Sequence, residues 1–221
     1  MVDLGPGAHT RVRRLAKKAR YDEATIFAIL DEARICHVAT LVHGRPVALP
    51  TLHLREGRTL YFHGSPSNEV MKSVLRAGEA FVTATLFDGL RLARSGFESS
   101  IAYRSVVVVG HARELGDTAE KTRVLNGFVD RVLPGRAGEV RALTDAERRL
   151  TLVVAVSIDE ASAKVSAGPT DDPDADLDLP IWAGTVPARL VFGSPVAYAN
   201  GAMATGELAV PESVRRLLDQ Q

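Results

Sequence analysis

The 221 residues carry 27 lysines and arginines against 27 aspartates and glutamates, with 46% apolar and 24% charged residues. That balance is ordinary for a soluble globular chain, and no apolar run reaches the roughly 18 to 20 residues of a membrane span. Zero net charge argues against nucleic acid as a partner, because duplex binding draws on a basic excess, and the single cysteine, Cys36, excludes an intrachain disulfide and a cysteine-based zinc site.

The chain opens on a basic stretch, residues 1–21, that lacks the apolar core of a secretory signal. It is expected to be a flexible segment, its charges either solvated or meeting a phosphate, and the expected compartment is the cytoplasm. Asp22 suits a helix N-cap, and Ile26, Phe27, Leu30 and Ala33 then share one face at helical spacing. Ile35 to Val42 and Pro46 to Leu54 read as strands joined by the turn His43-Gly44-Arg45, and Thr59 to His63 follows after Glu56-Gly57. Cys36, inside the first of these strands, reads as a small buried hydrophobe rather than a reactive thiol. Pro50 interrupts the second strand; proline donates nothing to a ladder, so the strand is expected at an edge or a bulge.

Ser65 and Pro66 suit the N-cap and first position of a second helix, with Val70, Met71, Val74 and Leu75 as its inner stripe and Gly78 as its stop. Ala80 to Phe87 and Ile101 to Leu115 read as further strands. Asp117 and Glu120 open a third helix through a capping box, Pro134-Gly135 ends it, Thr144 and Glu147 mark a short fourth, and Leu150 to Ile158 is the last long strand expected. From Pro169 an aspartate-rich stretch leads to Trp182, the only tryptophan, which is expected to fold back over the rest. Antiparallel strands with helices inserted between them imply an α+β barrel.

The motifs that would point to other chemistry are missing: no Walker-type phosphate loop, no Gly-x-Gly-x-x-Gly after a strand, no Gly-x-Ser-x-Gly elbow, no two-histidine helical zinc spacing. No metal site is expected. What remains is the junction Tyr61-Phe62-His63-Gly64-Ser65-Pro66-Ser67-Asn68, with Lys72 one turn on. Amides at a helix N-terminus attract phosphate, and Ser65, Ser67 and Lys72 add donors and charge. Read as spacing alone, the same residues are equally a cap and a solvated lysine.

The segments Cys36 to Thr40, Pro50-Thr51, Leu60 to Ser65, Tyr103 to Ala112, and Gly168-Pro169 through Gly184 occur together in an order that resembles the pyridoxamine 5′-phosphate oxidase-like FMN-binding split barrels, in particular the nitroimidazole-resistance branch. The resemblance spans about Asp22 to Gly193. It implies a six-stranded antiparallel split β-barrel with inserted helices, homodimeric, with FMN held between subunits. The implied layout is the flexible segment 1–21, a barrel domain over 22–168, and an extension over 169–221 that packs on the barrel or on the partner subunit.

Carried over by position, Pro50, Thr51 and Leu52 would lie along the flavin ring. His63, Gly64 and Ser65 would meet the ribityl phosphate with Lys72 as its cation, and Ser99, Ser100, Tyr103 and Arg104 would border the cleft. His53 and Tyr103 are the candidate proton donors. The implied activity is a flavin-dependent oxidoreductase acting on a small planar substrate. A non-catalytic flavin holder, and a split barrel binding haem or a deazaflavin, are the alternatives. Two departures are visible. The C-terminal Gly206 to Ser213 lacks the Arg- and His-containing segment that holds pyridoxal phosphate in true oxidases, which argues against vitamin B6 salvage. Asn68 and Glu69 stand where many relatives are more basic.

Overall fold

The computed structural model describes residues 4–5, 7–198 and 209–219. Its frame is antiparallel throughout: β1 (Ala19–Arg20), β2 (Cys36–Val42), β3 (Arg45–Thr51), β4 (Leu54–Glu56), β5 (Thr59–Gly64), β6 (Glu79–Leu92), β7 (Ser100–Glu114), β8 (Leu152–Ser157), β9 (Glu160–Ser166) and β10 (Gly184–Pro187). The main path runs β3-β2-β6-β7-β8-β5-β4, with β9 on β7, β1 on β9 and β10 on β6. The helices are α1 (Glu23–Glu32), α2 (Glu69–Ala77), α3 (Thr118–Val132), α4 (Asp145–Arg149) and α5 (Glu212–Asp219). This is the expected α+β split barrel. None of the described helices is long and apolar enough to cross a membrane.

The hairpin turns obey their sequence. His43 and Gly44 both take positive φ, 49° and 75°, as a type I′ turn between β2 and β3 demands. At the β4–β5 turn only Gly57 does, at 54°, the pattern of a II′ turn.

Two cores follow from strand periodicity. Leu60, Phe62, Val154 and Val156 point into the barrel with Ile26, Ile29 and Leu30 of α1 and Met71 and Val74 of α2. Tyr61, Val153 and Ala155, the alternate residues of β5 and β8, pack under Val124, Leu125 and Phe128 of α3. Covering both faces explains why these two strands read as unbroken apolar runs. β6 instead alternates strictly, leaving Phe81, Thr83, Thr85 and Phe87 on an open face.

Several boundaries differ from expectation. Helix α2 starts at Glu69, not after Ser65, because the Asn68 side chain accepts the Met71 amide at 3.1 Å. Ser65 is engaged one step earlier, its Oγ accepting from the Ser67 amide and lying 2.7 Å from Ser67 Oγ. Asp117 does cap α3, but the Glu120 carboxylate turns to Arg113 instead of closing the box. At α4 the Thr144–Glu147 box is complete. Strands β9 and β10 and helix α5 lie beyond the expected elements. β10 lays the extension along the far end of β6, yet Trp182 stays 66% exposed instead of sealing a surface. Residues 199–208, within the expected extension, lie outside the described residues.

Cys36 is fully buried and its thiol points at the Thr51 carbonyl, 3.6 Å away. Burial pushes this thiol up to about 12, so it is almost entirely un-ionised at neutral pH. Alkylation by iodoacetamide should be negligible in the folded protein and rapid in denaturant; equal rates in both would contradict the burial.

Candidate functional site

β3 is one end of the main strand path and carries Pro46 and Pro50, and no described strand pairs with its outer edge. Its register on β2 sets Pro50 opposite His37 and Thr51 opposite Cys36. Leu49 reaches the first turn of α2, where it shares a small void with Phe62, Val70 and Met71. Leu52 joins the α3 core. The strand therefore runs alongside the β5–α2 junction, and the structure brings Pro50, Thr51 and Leu52 to the neighbourhood of His63, Gly64 and Ser65.

At that junction, side chains of α2 crowd the end of β5. A Cβ on Gly64 would lie 3.1 Å from Met71 Sδ and 3.6 Å from the Asn68 side-chain nitrogen. Ser65 and Ser67 are exposed. Lys72 is ion-paired with Glu69 at 2.7 Å, and Arg76 also binds that carboxylate. These two cations hold Glu69 down at about 2, so the Lys72 charge is already matched. His63 packs edge-on against Phe128, ring centroids 4.3 Å apart, and its buried Nδ1 has no hydrogen-bond partner among the described residues. Burial lowers its pKa.

The second group of candidates lies elsewhere. The level of Pro50 crosses β7 at Val107, so Tyr103 is about 13 Å further along and three strands, about 14 Å, across. Ser99 caps the turn before β7, bonding the Ala93 amide and the Ser95 carbonyl, and Ser100 pairs with Arg91. Arg104 is clamped by Asp88 and Glu32, four bonds of 2.5 to 2.9 Å, and both carboxylates raise its pKa, Asp88 the more. It lines a cleft of about 830 Å³ with Arg34, Ile35, Phe87, Leu190 and Val191. One chain does not bring these residues to β3.

His53 sits in neither place. It is wholly buried, and its Nε2 lies 2.7 Å from the Leu30 carbonyl at the end of α1. A carbonyl only accepts, so Nε2 carries the proton and Nδ1 is a buried lone pair without a partner among the described residues. Arg131 of α3 braces the same corner, donating to the carbonyls of His53, Leu30 and Ala33. The sequence offers no periodic sign of this brace.

Desolvation, offset in part by the Leu30 bond, lowers the His53 pKa from its ordinary 6.5. A lowered histidine pKa means the unfolded chain takes up a proton before the folded one does. Stability is then full above about pH 6.5 and falls below it, by up to about 1.4 kcal/mol per pH unit, until the folded value is reached. The urea midpoint should drop between about pH 7.5 and pH 5.5, above the carboxylate range, and His53→Gln should flatten part of that slope. A midpoint flat over this window would refute the burial of a neutral ring.

Comparison with known proteins places this arrangement. The chain is similar to the flavocytochrome Anf3 from Azotobacter vinelandii, with 34% identity, TM-score 0.88, and 96% of this chain and 97% of that one covered. It is similar to the FAD and haem binding protein from Mycobacterium smegmatis, with 35% identity, TM-score 0.84, and 90% and 97% covered. A 5-nitroimidazole antibiotic resistance protein from Bacteroides thetaiotaomicron shares the fold at 24% identity and TM-score 0.57, over 66% and 86% of the two chains. A search of curated proteins found no match. The family profile for pyridoxamine 5′-phosphate oxidase matches residues 22–165, and the chain belongs to that family.

Proposed function

We propose that this chain is a flavin-binding redox protein that works as a homodimer and takes haem as a second cofactor. The observation that carries this reading is its identity of 34% and 35%, over at least nine-tenths of its length, with a flavocytochrome and with an FAD and haem binding protein. The residues present fit a flavin. The unpaired edge of β3 offers backbone donors and acceptors to a planar heterocycle, and the exposed Ser65 and Ser67 add hydroxyls at the β5–α2 junction. With Lys72 matched by Glu69, a phosphate there would rely on amides, hydroxyls and the remaining charge of Arg76.

A haem requires an axial ligand with a free lone pair. The unpartnered Nδ1 of His63 is buried beside Phe128, so the haem part of the reading rests on the two relatives and not on this ring. A bound flavin and haem would supply the electron transfer, while the chain binds, orients and shields them. The homodimer is supported by apolar surface left in water. Phe81, Phe87, Leu90, Leu92 and Ile101 are each more than a third exposed on one face of β6 and β7, and Leu190, Val191, Val196 and Tyr198 are at least 70% exposed.

The test is the visible spectrum of purified protein, with native mass. Flavin absorbance together with a Soret band in a dimer is the expected result, and acid extraction then distinguishes FMN from FAD. Colourless protein that fails to take up added flavin would overturn the reading. Reduced protein reoxidised faster by quinones or nitroaromatics than by oxygen alone would make it an oxidoreductase instead of a flavin holder.

A further inference from the structure

A cationic cluster around the buried Arg91 and Ser166 lies well away from the β3 edge. Ser166, the last residue of β9, is 1% exposed, and its Oγ lies 3.1 Å from Lys18 Nζ and 3.2 Å from Arg91 Nη1. Arg91 is 4% exposed, yet its partners are this hydroxyl and the carbonyls of Gly168 and Pro169, with no carboxylate among them. Lys164 precedes Ser166 by two residues and so shares its face. It stands opposite Ala19 in the β1–β9 ladder, next to Lys18, and has no hydrogen-bond or ion-pair partner among the described residues. Lys17 adds a fourth cation, matched at the solvent rim by Asp171 at 3.2 Å. Tyr103 stands across the ladder from Ser166.

Two cations on one hydroxyl, a third beside Lys18 and a carboxylate at the rim are an unusual concentration in a chain of zero net charge. Lys18 records the strain: burial lowers its pKa, then Arg91, with Lys164 and Lys17 adding and only Asp171 opposing. Arg91 has five N–H donors and uses three here. An oxyanion entering beside Ser166 would meet a guanidinium, two ammonium groups and a hydroxyl, and charge-assisted bonds of that kind favour phosphate groups.

We infer that Lys18, Arg91, Lys164 and Ser166 form a binding site for a diphosphate group, carried free or by a dinucleotide. The basic N-terminal stretch then has a ligand to meet in place of open solvent. The β5–α2 junction takes no part, but Tyr103 and Ser100, the ladder partners of Ser166 and Arg91, belong to the expected flavin cleft, so a dinucleotide outcome rests on the flavin reading whereas a free-anion outcome does not.

The probe is inorganic pyrophosphate, titrated into the full-length protein by calorimetry. Lys18→Gln and Lys164→Gln should each weaken binding about tenfold, the loss of one charge-assisted bond. Lys164→Arg should retain binding, and Arg149→Gln, an exposed cation on α4, should leave it unchanged. Unaltered melting temperatures in the variants keep the comparison free of folding effects. FAD or NADPH displacing pyrophosphate would assign the site to a dinucleotide, whereas pyrophosphate binding that neither displaces would assign it to the free anion. Absence of binding at millimolar pyrophosphate, or equal affinity in wild type and the Lys18→Gln/Lys164→Gln double variant, would overturn the inference.

Discussion

Replacing Gly110 with alanine is expected to destabilise the protein by about 3 kcal/mol, at the upper end of what overpacking a core costs. Gly110 marks the seam of the barrel. Just before it, β7 pairs with β9 from Tyr103 to Val109; just after it, β7 pairs with β8 from Ala112 to Glu114. Ser157, where β8 ends, crosses that seam so closely that a Cβ on Gly110 would lie 1.5 Å from its carbonyl oxygen. The obstacle is backbone, so no rotamer change relieves it. The same crossing supplies the Ser157 hydroxyl and the Asp159 carboxylate to the His111 amide, at 3.1 and 3.0 Å, and these bonds would be pulled apart. Urea unfolding of Gly110→Ala against wild type measures the effect. Gly116→Ala is the matched control, because its added Cβ meets nothing within 4 Å. A Gly110→Ala variant within about 1 kcal/mol of the control would show that the seam can open.

Arg131→Met is expected to cost a similar amount, about 3 kcal/mol, and to lower flavin content as well. The guanidinium serves the carbonyls of Leu30 and Ala33, where α1 ends, and that of His53, just beyond β3. Helix-terminal carbonyls lack intrahelical donors, and bonds to a charged donor are worth about 1.5–3 kcal/mol each. Methionine keeps much of the volume and removes every donor. The backbone from Thr51 to Leu54, freed from this brace, would no longer hold β3 in register beside the β5–α2 junction. Arg123→Met on the same helix removes an exposed pair with Glu56 and an interaction with the Tyr61 side chain, which together should be worth less than the Arg131 brace, on the order of 1 kcal/mol. Unfolding midpoints and flavin per chain, measured on both variants, separate the brace from a generic effect of losing a charge on α3. Wild-type flavin content in a destabilised Arg131→Met would sever the link between the brace and the candidate site.

Most of the fold was legible because its signals are local. His43-Gly44 and Gly57 dictate tight turns by backbone freedom alone, and Thr144 and Glu147 cap α4 through neighbours three residues apart. At α2 the spacing pointed to Ser65 as the cap, whereas Asn68 takes that place because its side chain reaches the Met71 amide. β9 was missed because its residues Ala161, Ser162, Ala163 and Ser166 are small and weakly apolar, although fully or nearly buried; its strand character comes from its ladders to β7 and β1.

The candidate site divides along the same line. By itself the sequence determined the hairpins, the proline-bearing strand and the glycine-serine junction, since each follows from what one residue or one turn permits, while the split barrel followed from the resemblance of the segments taken together. Only the tertiary structure decided which charges are free. It matches Lys72 with Glu69, clamps Arg104 between Asp88 and Glu32, seals His53 under Arg131, and gathers Lys18, Arg91 and Lys164 from three separated segments around Ser166. The reason is physical: backbone preference acts over a few residues, whereas charge acts across whatever folding brings within a few ångströms.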